Sequence, residues 1–105
     1  MVANNSNVSQ ARFRLGRMVA TPGAQAALTE AGQLPLVFLA RHMTGDWGEL
    51  DADDKRANDE ACAHEGDLER QGRILSAYKT RLGVKVWVIT EFDRSVTTLL
   101  LPEEY

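Results

Sequence analysis

The chain has 105 residues and a single cysteine, Cys62, so no disulfide can form within it. That usage fits a reducing compartment, and a cytoplasmic location is the expectation. Five acidic residues near Cys62 in sequence (Asp59, Glu60, Glu65, Asp67, Glu69) argue against a reactive thiolate, because negative surroundings raise a thiol pKa. The two histidines, His42 and His64, stand 22 positions apart with no HxxxH or CxxC spacing, so no metal site is expected. The acid-rich middle lacks the glycine and closing glutamate offsets of a calcium loop. GxxxxGK[ST], GxGxxG and GxSxG are all missing, so no cofactor is implied. No apolar run approaches the roughly 20 residues that span a bilayer, and no membrane partner is expected. The opening "MVANNSNVSQ" has neither a basic nor an apolar segment; residues 1–10 are expected to form a disordered leader.

What is present is a soluble composition, 44% hydrophobic and 26% charged, which suits one globular domain over residues 11–105. The net charge of -3 conceals an asymmetry. From Thr44 to Arg70 there are ten acids and three bases, or -7, while the remainder carries +4. Such a division bears on partners rather than on fold.

Periodicity divides the chain into a strand, three helices and three strands. "RFRLGRMVA" (12–20) alternates like a half-buried strand. Thr21 and Pro22 then read as N-cap and first residue of a helix that buries Ala24, Ala27, Leu28 and Ala31 and stops at Gly32. Pro35 opens a second helix, "PLVFLARHM", with Leu36, Leu39, Ala40 and Met43 at core spacing. A third helix begins at Asp51 and runs to about Glu65, with a thin stripe of Ala52, Ala57, Ala61 and Cys62. "RILSAYKT", "VKVWVITE" and "SVTTLLL" are β-branched and aromatic, with joins short enough for hairpins. The expected fold class is α+β, β-α-α-α-β-β-β, with a small antiparallel sheet of about four strands and helices on one face. Trp87 and Ile89 fall on the second face of their strand, which calls for cover by a helix, by the leader or by another subunit.

"RHMTGDWGEL" (41–50) holds the residues most able to carry chemistry. His42 is the natural general base, because imidazole titrates near neutrality. Asp46 could orient it, and Arg41, Arg94 or Lys85 could steady phosphate charge, which is the layout of a small ribonuclease or toxin-like enzyme. A plainer reading makes this stretch a helix-ending turn. Gly45 and Gly48 then supply positive φ, Asp46 braces the backbone, Trp47 anchors the loop, and His42 sits harmlessly at the helix end. On that reading the functional groups are contacts for a partner: Asp46, Trp47, Glu49, Asp53 and Asp54. Arg12, Arg14, Arg73, Lys79, Arg81 and Lys85, with Tyr78 and Trp87, suggest a stripe for single-stranded nucleic acid, a reading that the negative net charge disfavours.

The segments "TGDWGEL", "NDE" from Asn58, "GRILSAY" and "WVITEFDRSVTTLLLPEEY" resemble a group of small bacterial proteins encoded on plasmids and integrated elements, described only as plasmid-related or hypothetical. The resemblance covers roughly residues 17–105 and brings no activity with it; it implies a mobile-element setting. Together with the acidic segment, it leads to the expectation of a non-enzymatic binding protein. Its partner would be a protein with a basic surface, such as a host nucleic-acid-handling or defence protein. A homodimer is compatible with the same features.

Overall fold

The structure is a computed structural model describing residues 10–105, so the expected leader lies outside the described residues apart from Gln10. The elements run β1 (Arg17–Ala20), α1 (Pro22–Ala31), α2 (Pro35–Met43), α3 (Ala52–Ala63), β2 (Ile74–Lys79), β3 (Lys85–Thr90) and β4 (Val96–Leu100), ending in a 3-10 turn, Pro102–Glu104. The α+β order of one strand, three helices and three strands is therefore as expected.

The sheet itself is mixed. Its strand order is β1-β4-β3-β2, with β2–β3 and β3–β4 antiparallel but β1 parallel to β4. The expectation of an all-antiparallel sheet is corrected accordingly. A parallel neighbour needs a long crossover, and the three-helix block between β1 and β2 helps supply one. The first strand is also shorter than residues 12–20 suggest. Gly16 has φ +64°, and a Cβ there would overlap the Arg94 carbonyl oxygen, so the chain turns tightly before β1 begins.

One face of the sheet carries Ile74, Ser76, Tyr78, Val86, Val88, Thr90, Thr97 and Leu99, all buried. Ala24 and Leu28 of α1 and Phe38 and Leu39 of α2 pack with Tyr78, Val86, Val88 and Leu99 of that face into the main core, while Ile74 joins Phe13, Trp47 and Ala61 in a second cluster. Thr21 caps α1 as expected, accepting from the Ala24 N–H, and Ala24, Ala27, Leu28 and Ala31 form its buried stripe. The stripe of α2 differs from expectation: Phe38, Leu39 and His42 point inward, while Leu36 is 65% exposed and Ala40 is exposed. In α3, capped by Asp51, the buried residues are Asn58 and Ala61, and Ala52 and Ala57 face outward. Both departures share a cause. Each helix turns a polar side chain inward where the sheet offers it a hydrogen-bond partner.

The opposite face of the sheet bears Leu75, Trp87, Ile89, Val96, Thr98 and Leu100. Tyr105 meets Trp87 edge-on at a centroid distance of 5.8 Å, with the Arg73 guanidinium 5.4 Å from its ring. Tyr105 thus supplies part of the cover on this face, and Ile89 is left 3% exposed.

Candidate functional site

His42 projects from the last turn of α2 into the sheet and is completely buried. Its Nδ1 lies 2.6 Å from Ser76 Oγ and its Nε2 2.9 Å from Thr90 Oγ1. The proton positions follow from the far end of this chain. The Leu15 carbonyl can only accept, so Thr97 Oγ1, 2.7 Å away, donates to it. Thr90, 2.6 Å from Thr97 Oγ1, must then donate to Thr97. Thr90 Oγ1 therefore accepts from His42 Nε2–H, and Nδ1 accepts from the Ser76 hydroxyl. The ring is neutral, and both nitrogens are engaged. Burial, assisted by the positive charge of Arg94, pushes its pKa down to about 3. A ring so enclosed has no exposed nitrogen to present to a substrate, and it is not the harmless helix-end residue of the plainer reading either. His64 does behave as a helix-end residue, closing α3 with Nδ1 3.0 Å from the Glu60 carbonyl.

Arg94 is equally committed. It sits in the β3–β4 connection at φ +61°, and its side chain is 5% exposed. Nη2 donates to Glu65 Oε1 at 2.9 Å, Nε donates to the same carboxylate, and Nη1 donates to the Gly72 carbonyl at 2.8 Å. The guanidinium also lies 5.6 Å from the Phe13 ring, whose centroid is 5.1 Å from that of His42. His42 and Arg94 thus flank one buried phenyl ring. Arg41 faces elsewhere, pairing with Asp46 at 2.7 Å and lying over the Tyr78 ring at 4.4 Å. The three expected catalytic residues do not open onto a common cleft.

The "GDWG" turn closes an edge of the sheet. The outward N–H and C=O of Ala77 on β2 bond to the Trp47 carbonyl at 3.1 Å and the Glu49 N–H at 2.7 Å. One step along, the Asn58 side chain takes the place of a strand: its Nδ2 donates to the Leu75 carbonyl at 2.7 Å, and its Oδ1 accepts the Leu75 N–H at 3.2 Å. Gly48 makes the approach feasible. At φ +77°, a Cβ on it would collide with the Ala77 carbonyl oxygen. Asp46 accepts the Gly48 N–H at 3.3 Å, and its carbonyl accepts the Tyr78 hydroxyl. Burial of that phenol raises its pKa to about 12.

Trp47 is 5% exposed, its ring stacked 6.2 Å from Phe13 and its Nε1–H donating to Asp59 at 3.0 Å. It is an anchor, with no face free for a partner. Of the other expected contacts, Asp46 is tied to Arg41, whose hydrogen bond holds its carboxyl below the usual range. Glu49 lies 3.9 Å from Lys79. Asp53 and Asp54 stand in the first turn of α3, where the helix dipole favours them, and are exposed; the Asp53 side chain is 87% accessible while pairing with Arg56. The Cys62 thiol is pushed up, chiefly by burial, consistent with an inert role.

The fold divides the basic stripe: Lys79 and Lys85 oppose each other on the outer face of the sheet with Trp87, and Arg73 reaches the Tyr105 ring there, while other members are drawn away. Tyr78 is buried on the helical face, Arg12 pairs with Asp59, and Arg81 donates to the Ala31 carbonyl. Among the described residues there is no group of three or more metal-ligating side chains, and no helix is long and apolar enough to cross a membrane. The chain matches no family model, and neither the curated proteins nor the solved structures contain a significant match.

Proposed function

We propose that the protein is a non-enzymatic binding module that presents the outer surface of α3 and the preceding turn to a partner with a basic surface. The observation that supports it is a partition of polar groups. His42 and Arg94, the residues suited to chemistry, are enclosed and hydrogen-bonded within the fold, while Asp53 and Asp54 are exposed at one helix start with Glu49 nearby in the chain. Carboxylates so placed attract cationic surfaces over about a Debye length and set association rate and selectivity. In a mobile-element setting, the basic surface would belong to a host protein that handles nucleic acid, and occupying it would counter that protein.

The test is capture from a bacterial lysate by the tagged protein at low and high salt, with the Asp53→Lys/Asp54→Lys variant in parallel. A protein retained at low salt, released at high salt and lost with the double variant supports the proposal. Retention unchanged by both salt and charge reversal, or no retained protein, contradicts it. Adding nuclease to the lysate separates a protein partner from one bridged by nucleic acid.

A further inference from the structure

The two edges of the sheet are finished differently. On β2 the outward backbone groups of Leu75 and Ala77 are taken by Asn58, Trp47 and Glu49. On β1 they are not. Arg17 and Thr21 donate to the Ser95 and Leu99 carbonyls of the β4 side, which leaves Met18 and Ala20 with their N–H and C=O directed away from the sheet. Among the described residues nothing accepts the Met18 N–H, and Ala20 O receives only a long contact of 3.5 Å from Gln25 Nε2. Met18 is 55% exposed. The usual protections of a bare edge, such as lysine, proline or a bulge, are missing from Met18–Ala20.

Beside this edge is an apolar surface. A groove of 550 Å³ between α1 and the start of α2 is lined by Ala20, Leu28, Leu34 and Pro35 among others, and a second of 220 Å³ continues it past Met18, Val19 and Leu39. Leu34 lines it at 69% exposure, and Leu36 and Val37 follow in the first turn of α2 at 65% and 48% exposure. Half of the large exposed apolar residues of the described chain are therefore Met18 on this edge and Leu34, Leu36 and Val37 at the start of α2, where Leu34 and Pro35 line the groove.

We infer that this face is a homodimer interface in which β1 pairs antiparallel with β1 of a second copy, joining two four-stranded sheets into one of eight strands. The occupant follows from charge. From Met18 to Ala20 and from Gly32 to Leu39 there is no ionisable side chain, and Arg81, which reaches the patch at Gly32, is held by the Ala31 carbonyl. The patch therefore offers a charged partner little to select, whereas it complements the same uncharged patch of a second copy. The backbone fixes the register. The outward groups belong to Met18 and Ala20, so Met18 of one copy opposes Ala20 of the other, and Val19 meets Val19 on the two-fold axis. That places Arg17 opposite Thr21 and keeps the two Arg17 side chains apart. Met18 and Ala20 then lie on the helical side, where the Leu34–Val37 surfaces of the two copies approach.

Val19 pairs with itself without mutual hydrogen bonds, a geometry with Cα atoms about 4.5 Å apart, within the range a disulfide spans. The experiment is sedimentation equilibrium on the full chain, with mild oxidation of Val19→Cys in a Cys62→Ser background. The expected results are a dimer, at least tenfold weaker association for the exposed-site variant Leu36→Glu and for Val19→Lys, and rapid cross-linking through the introduced thiol without loss of fold. A monomer at every concentration would overturn the proposal. So would a dimer that Leu36→Glu and Val19→Lys leave intact, or a folded dimeric Val19→Cys variant that fails to cross-link.

Discussion

The helical side of the sheet and the outer side of α3 hold polar residues under opposite conditions. On the sheet, Ser76, His42, Thr90 and Thr97 form an unbroken donor–acceptor chain ending on the Leu15 carbonyl, each member shut off from water. On α3 the carboxylates of Asp53, Asp54, Asp59 and Glu60 face water, Asp53 pairing with exposed Arg56 and Asp59 with Arg12. An imidazole is versatile in solution, but inside a satisfied network it becomes a packing element with hydrogen-bonding requirements. A carboxylate at an exposed helix start keeps its charge and remains available. The difference teaches that residue type nominates a functional group, and burial with partner geometry decides whether it can act.

The sharpest way to break this comparison is to remove the interior members. His42→Ala should destabilise by about 3–5 kcal/mol, because it opens a cavity, leaves the Ser76 hydroxyl without its acceptor and leaves the Thr90 oxygen without its donor. Trp47→Ala should cost a similar amount, roughly 3–5 kcal/mol, through loss of the Phe13 stack and the bond to Asp59. Chemical denaturation of both variants checks this; a His42→Ala protein as stable as the parent would mean the network contributes nothing.

The same network sets a pH dependence. The folded His42 pKa is about 3 against an ordinary 6.5, so the unfolded chain binds the extra proton first as pH falls. Its stability contribution is complete above 6.5 and declines below it at up to about 1.4 kcal/mol per pH unit, until the folded ring also titrates near 3. Between pH 6.5 and 5.5, above the carboxylate range, the parent should lose stability and His42→Gln should not. Equal slopes would place the proton linkage elsewhere.

Gly48→Ala probes the closed edge. Its added methyl would strike the Ala77 carbonyl, and with φ +77° the loop must withdraw; a loss of about 2–3 kcal/mol is expected, with faster hydrogen exchange at Ala77. At the small end, Asp46→Ala removes an exposed ion pair and one long backbone bond and should cost under about 1 kcal/mol by thermal melting. A larger loss would move Asp46 from the surface group to the interior one.

Much of the fold could be read from local signals. Thr21-Pro22 and Gly32 bracket α1, and its alternation of alanine and leucine assigns its buried face correctly, because polar residues fill the other side. The hairpins around β3 follow from short connections between β-branched runs. The parallel partner of β1 left no such trace, since Arg17↔Val96 joins segments at opposite ends of the chain. In α2, "PLVFLARHM" is apolar nearly all round, so periodicity had no contrast with which to reject Leu36. Asn58 and His42 were missed as interior residues for one reason: their partners are Leu75, Ser76 and Thr90, brought close only by folding. The "GDWG" turn was legible as a turn anchored by Trp47, but its work on the β2 edge required knowing where that edge lies.

The central claim, that His42 is a neutral structural member of a closed hydrogen-bond chain, is tested most directly by following its ring nitrogens by NMR from pH 8 downward. A proton fixed on Nε2, slow to exchange with solvent, and no titration until the pH approaches 3 or the protein unfolds is the expected result. A ring that titrates near 6.5 in the folded protein, or that carries its proton on Nδ1, would contradict the account.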